Sequence, residues 1–234
     1  MRLPEHITFT GLDHWTDMER VARLSEEYPL EWGLLFSPRR MGMEPRYPDA
    51  STVEKIFAQR AAHVKIAAHL CGGYSKDVVA GKNIRVNIST FERFQVNYIP
   101  DRRQHQESRD SENGEQVGIA DIRAHPHRHG TPFIVQWRTL TFPQSDDVHY
   151  LFDKSGGRGM VPPNWPEHPG GDQLVGYAGG LGPHNVREQL LRMRPAGPYW
   201  IDMEGKVRDE KDRLDLDKVE AVCREVYRTS LDVE

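Results

Sequence analysis

The chain has 234 residues, 37% of them hydrophobic and 28% charged, with a formal net charge of −4. That length can bury one α/β core of barrel size, and the acidic balance leaves no basic footprint for nucleic acid. No run approaches the roughly 18 apolar residues of a membrane helix, no signal-peptide pattern opens the chain, and Cys71 and Cys223 make no disulfide framework, so a cytoplasmic protein without membrane partners is expected.

Strand-like and helix-like segments then alternate along the chain. His6–Thr10 is a short β run that stops at Gly11. Thr16 and Glu19 have capping-box spacing, with Met18, Val21 and Leu24 on one helical face behind them. Trp32–Phe36 reads as the second strand. A loop rich in Arg, Gly, Met and Pro leads from it to a second capping box, Ser51 to Glu54, and to the stripe Val53, Ile56, Phe57 and Ala61. Val64–Ala68 and Phe94–Asn97 read as strands three and four; Phe133–Trp137, Val148–Phe152, Leu174–Tyr177 and Tyr199–Asp202 as five to eight. Helical stripes follow at Val186, Leu190 and Met193, and at Val219, Val222, Cys223 and Val226. Eight strands alternating with helices predict a closed (β/α)8 barrel, with residues 1–234 as one domain. Pro100–Gly130 is polar with little helical period, and only ten residues separate Trp137 from Val148. Degenerate helices are therefore expected after strands four and five, with 101–130 as an excursion outside the barrel.

In such a barrel, chemistry gathers at the carboxyl ends of the strands. Those ends hold Thr10, the arginines 39, 40 and 46, His69 and Cys71, Gln95 and Asn97, Gln136, Asp153, Gly179 and Gly180, and Asp202 with Glu204. Asp153 ends an apolar strand, where partial desolvation suits a general acid; the same position equally suits an Asp that caps the next turn. Cys71 precedes a glycine pair and is a candidate for the mouth, although most cysteines are small buried hydrophobes; Cys223 belongs to the core. His125, His127 and His129 alternate, but no acid or cysteine cluster accompanies them, and no metal is expected. Glycine-rich turns after strands six and seven let backbone N–H groups approach an anion closely.

These residues carry a resemblance to phosphoribosylanthranilate isomerase, running from about Ile7 to Val226. Phe9-Thr-Gly-Leu12 resembles the family's opening Ile-Cys-Gly-Leu, Phe36-Ser-Pro with Pro45-Arg-Tyr47 its second-strand loop, and Phe94-Gln-Val-Asn97 its Val-Gln-Leu-His. Leu151-Phe-Asp153 with Gly156-Gly157-Arg158-Gly159, then Ala178-Gly-Gly-Leu181 with Asn185, then Ile201-Asp-Met203 with Leu216-Asp-Lys-Val219 are the more specific matches. The resemblance implies a (β/α)8 barrel and a cofactor-free Amadori rearrangement of a phosphorylated sugar derivative, as in tryptophan biosynthesis. It implies Asp153 as the acid and Arg46 as a contact for the substrate carboxylate. Gly157, Gly159, Gly179, Gly180 and Gly205 would hold the phosphate, and Gln95 and Asn97 would line the substrate site. The family's catalytic cysteine is replaced here by Thr10, whose hydroxyl needs activation to act as a base, and Cys71 is the candidate substitute. Asn97 stands for the family's histidine. Glu204 places a carboxylate beside the expected anion, with Lys206 or Arg208 as compensating cations. Two other readings stay open: a diverged barrel enzyme with a different reaction on a small anion, and a non-catalytic binding protein. The oligomeric state is not indicated.

Overall fold

Eight parallel strands close into a barrel in the order of the chain, β1 pairing with both β2 and β8. They are β1 (His6–Thr10), β2 (Leu30–Phe36), β3 (Lys65–Leu70), β4 (Arg93–Val96), β5 (Phe133–Trp137), β6 (Val148–Phe152), β7 (Val175–Ala178) and β8 (Tyr199–Met203). The computed structural model describes residues 2–97, 122, 130–155 and 158–227. Helices α1 (Met18–Glu27), α2 (Ala50–Gln59), α3 (Gly73–Val79), α4 (Val186–Met193) and α5 (Leu216–Tyr227) pack outside the strands. The expected (β/α)8 barrel is thus the fold. No helix lies between Trp137 and Val148, as expected, and among the described residues none lies between Asp153 and Leu174 either. The expected excursion at 101–130 and the histidines at 125, 127 and 129 fall outside the described residues, apart from Ile122 and Gly130. No described helix is long and apolar enough to cross a membrane.

The apolar stripes seat the helices as their period predicts. Met18, Val21 and Leu24 of α1, Val186, Leu190 and Met193 of α4, and Val219, Val222, Cys223 and Val226 of α5 are all buried against the strands. The caps differ from the capping boxes expected at Thr16 and Ser51. Asp17 caps α1, its Oδ1 accepting from the N–H groups of Glu19 (3.0 Å) and Arg20 (3.1 Å), and Asp49 caps α2 through the N–H of Thr52 at 2.7 Å. An aspartate next to the expected cap outcompetes Thr or Ser because its carboxylate also meets the positive end of the helix dipole.

Inside the barrel the filling is part apolar and part polar. One apolar cluster, Ile134, Leu151, Ala178 and Trp200, occupies part of the middle, and the Trp200 indole lies where a side chain at Gly176 would otherwise sit. Toward the amino-terminal ends of the strands, Glu31 and Arg93 form a buried pair. Arg93 Nε donates to Glu31 Oε2 at 2.9 Å and Nη2 to Oε1 at 2.6 Å, and Thr8 Oγ1 donates to Oε1 at 2.9 Å. Nη2 also meets His6 Nε2 (2.8 Å) and Nη1 meets His149 Nδ1 (3.3 Å), and the guanidinium lies 4.6 Å from the Trp200 ring centroid. A guanidinium cannot accept, so each of those ring nitrogens must be unprotonated. Burial accordingly pushes His6 and His149 down to about 4, with the Arg93 charge adding to it.

These histidines dictate an acid limit. A histidine held neutral in the fold but titrating near 6.5 when unfolded binds its proton first in the unfolded chain. Stability is therefore unaffected above pH 6.5, falls as pH drops from there toward 4, and levels off below 4. His69, also buried and pushed down to about 4, adds to the same window. Glu31 has the opposite sign of shift, held down at about 2 by Arg93 against its own burial, and its contribution is lost between pH 4.5 and 2. Urea unfolding at stepped pH should show the midpoint falling between pH 6.5 and 4, by up to about 3 kcal/mol per histidine. A midpoint flat from pH 7 to 4.5 would contradict this assignment.

Candidate active site at the barrel mouth

At the carboxyl ends of the strands lies an open cavity of about 340 Å³. Alternation along each strand sends one residue in two inward, so Thr10, His69, Gln95, Gln136, Asp153 and Asp202 reach it together. Arg46, Cys71, Asn97, Gly159, Gly179, Gly180 and Gly205 line it as well. All the expected site residues within the described chain are thus gathered in one place; Gly157 lies outside the described residues.

Asp153 takes the capping role its position suits. Its Oδ1 caps the turn after β6, accepting from the Ser155 N–H at 2.9 Å and the Ser155 hydroxyl at 2.6 Å. That fixes the carboxyl orientation, and among the described residues Oδ2 is met by Gln136 Nε2 alone, at 3.4 Å. A second carboxyl, Asp202, was present among the strand-end residues without being singled out. It sits on the other side of Thr10, whose Oγ1 donates to its Oδ1 at 3.0 Å. Burial, with the nearby Glu204 charge adding to it, holds the Asp202 carboxyl well above the usual carboxylate range, against the pull of the Thr10 hydrogen bond. That shift favours the protonated form of Asp202 and suits it to donate a proton. The position expected to hold a base has instead a threonine hydrogen-bonded to an acid.

Cys71 does face the mouth, but as a thiol. Burial pushes it up to about 11, although Asn97 Nδ2 donates to its sulfur at 3.1 Å. With the thiolate so scarce near neutral pH, Cys71 is poorly suited to replace the missing base.

The expected anion contacts are partly committed elsewhere. Arg46 gives its Nε to Asp212 Oδ2 at 2.8 Å, Nη2 to the other oxygen of the same carboxylate, and Nη1 to Glu204. Its fork is used bidentately within the protein, and Glu204 is neutralised by it. Arg208 is a buried strut: Nη1 donates to the Gly11 carbonyl at 3.0 Å, Nε to the Asp212 carbonyl at 2.9 Å, and Nη2 meets Asp13 at 3.4 Å. It cannot compensate in the mouth; Lys206, which lines the cavity, remains. Gly179 and Gly180 take positive φ of 113° and 65°. A side chain at Gly180 would strike the backbone of Gly159–Val161, which packs directly against it. The Gly182 N–H is taken by Asn185 Oδ1 at 2.9 Å, whereas the space at Gly205 is open.

No family model matches the sequence, and no curated protein matches it. Solved structures do match its fold. TrpF from Jonesia denitrificans has 15% identity over 94% of this chain and 96% of its own, with a TM-score of 0.58. Phosphoribosyl anthranilate isomerase from Thermus thermophilus has 15% identity over 94% and 97%, also at 0.58. A phosphoribosyl anthranilate isomerase in complex with reduced 1-(o-carboxyphenylamino)-1-deoxyribulose 5-phosphate has 15% identity over 94% and 97%, at 0.55. The chain therefore shares the barrel fold of these structures along nearly its whole length.

Proposed function

We propose that the mouth is an acid–base site for Amadori-type isomerisation of an N-linked phosphorylated sugar derivative. The observation that carries this reading is the pair of carboxyl groups, Asp153 and Asp202, facing one cavity from different environments. Burial and the Glu204 charge push one toward its protonated form; the other is oriented by two hydrogen bonds to a turn. Unlike environments are how two identical side chains divide acid and base work. Asp202 donates its proton to the ring oxygen, the ring C–O bond breaks, and an iminium forms at C1. Asp153 Oδ2 takes the proton from C2, the C2–H electron pair neutralising the iminium to give an enolamine. The enolamine then takes a proton at C1 and loses one from its hydroxyl, leaving the aminoketose. Thr10 is a positioning residue that orients Asp202. The phosphate is assigned to the turn N–H groups at Gly179 and Gly205, with Lys206 as its counter-charge.

Three of the five Arg46 N–H groups, and its charge, are committed to Asp212 and Glu204, which weakens it as a receptor for a substrate carboxylate. The site should therefore accept an N-(5-phosphoribosyl)aniline at least as well as N-(5-phosphoribosyl)anthranilate. Comparing kcat/KM for the two, each formed in situ from the amine and the phosphosugar, tests both the reaction and this selectivity. A strong preference for anthranilate would mean that Arg46 is released in the complex, and failure to turn over either would remove the isomerase reading.

A further inference from the structure

Beneath the two carboxyl groups the mouth has a floor with unmet hydrogen-bonding capacity. Nε2 of His69 and Oε1 of Gln95 are buried without a partner among the described residues, although both residues line the cavity and are at most 3% exposed. They are direct neighbours in the β3–β4 pairing. Folded proteins keep few such groups, and each one asks what meets it.

The Gln95 amide is held in place by a directed relay. Its Nε2 donates to Asn97 Oδ1 at 2.6 Å, Asn97 Nδ2 donates to Cys71 Sγ at 3.1 Å, and the thiol faces the His69 carbonyl at 3.8 Å. With Nε2 committed, Oε1 is left as a fixed acceptor. His69, kept neutral by burial, has one donor and one acceptor nitrogen. Thr10 Oγ1 converges from the opposite side: a Cβ at Gly33 would lie 2.6 Å from Thr10 Oγ1 and 3.0 Å from His69 Nε2. The bare Cα of Gly33 is what lets both side chains lean over the floor.

We propose that this floor is a subsite for the hydroxyl groups of a polyhydroxylated carbon chain, read by His69, Gln95 and Thr10. A group that donates to Gln95 Oε1 and also exchanges a hydrogen bond with an imidazole and a threonine is a hydroxyl, which both donates and accepts. A sulfate or carboxylate only accepts and would face Oε1 lone pair to lone pair. The burial that keeps His69 neutral opposes any charged group at that depth. The inference rests on the sugar reading for its ligand and adds which end enters first: hydroxyls go down, and the phosphate stays at the rim by Gly179 and Gly205.

The test uses ribitol, a pentitol with neither amine nor phosphate, titrated into the full-length protein with imidazole and side-chain amide nitrogens followed by 15N NMR. Saturable shifts of the His69 ring nitrogen and the Gln95 side-chain amide are expected, with no such shift from sulfate. His69→Phe keeps the ring shape and should weaken ribitol binding about five- to tenfold, the loss of one hydrogen bond. Gly33→Ala, which crowds Thr10 and His69 without touching their chemistry, should weaken it too and serves if the His69 variant does not fold. Unmoved His69 and Gln95 signals in the wild type, or unchanged affinity in the folded variants, would overturn the proposal. Ribitol binding here without turnover of any phosphosugar amine would sink the isomerase reading and keep the subsite; turnover without ribitol binding would do the reverse.

Discussion

Replacing Arg93 with methionine is expected to destabilise the protein by about 3–5 kcal/mol, the cost of stranding a buried charge. Glu31 and Arg93 have side chains only 4% and 7% exposed, and the arginine supplies the counter-charge and two hydrogen bonds to that carboxylate. Methionine fills much of the stem volume but supplies no donor, so Glu31 must take up a proton or draw in water. His6 and His149 lose their donor at the same step. Urea unfolding should show the lowered midpoint. The double variant Arg93→Met with Glu31→Leu should recover most of the loss, because removing both charges also removes the desolvation cost of each. A single variant as stable as the wild type would mean that the pair does not hold the amino-terminal end of the barrel.

The second large effect is on catalysis. Asp153→Asn and Asp202→Asn should each lower turnover by about 100- to 10,000-fold, the usual contribution of a positioned acid or base. Both should fold. At 202 an amide is the neutral isostere of a carboxyl group that burial already pushes toward its neutral form, and its oxygen can still accept from Thr10. At 153 the amide oxygen can still accept from Ser155. Melting temperatures within a few degrees of the wild type, beside collapsed kcat, would identify both groups as chemical rather than structural. Retained turnover in either variant would remove that residue from the mechanism.

The fold was legible because its signals are local. Each strand is a short β-favouring run, and the stripes at Met18, Val21 and Leu24 or at Val219, Val222 and Val226 repeat with helical period, which burial then confirms. Helix caps were less legible: Asp17 and Asp49 compete with neighbouring hydroxyls for the same N–H groups, and spacing alone does not rank them. Within the site, Asp153, Cys71 and Gln95 could be placed at the mouth by counting along strands, and Arg46 by its place in the loop after the second strand. What they do there could not, because it depends on contacts across the closure. Thr10 meets Asp202 only because β1 pairs with β8, and Arg46 is bound to partners beyond β8, at 204 and 212. The inward parity of Trp200, Asp202 and Glu204 was the one available sign that β8 delivers an acid to the base position. Cys71 illustrates the same limit: its place was predictable, but the burial that keeps it a thiol was not.

The central claim is that two carboxyl groups move a proton on and off a sugar carbon in this mouth. It is tested most directly by running the reaction on N-(5-phosphoribosyl)aniline in D2O and reading the product by NMR. The account predicts an aminoketose with deuterium at C1, formed by the wild type and lost in Asp153→Asn. An unlabelled product, or labelled product formed equally by the Asn variant, would contradict it.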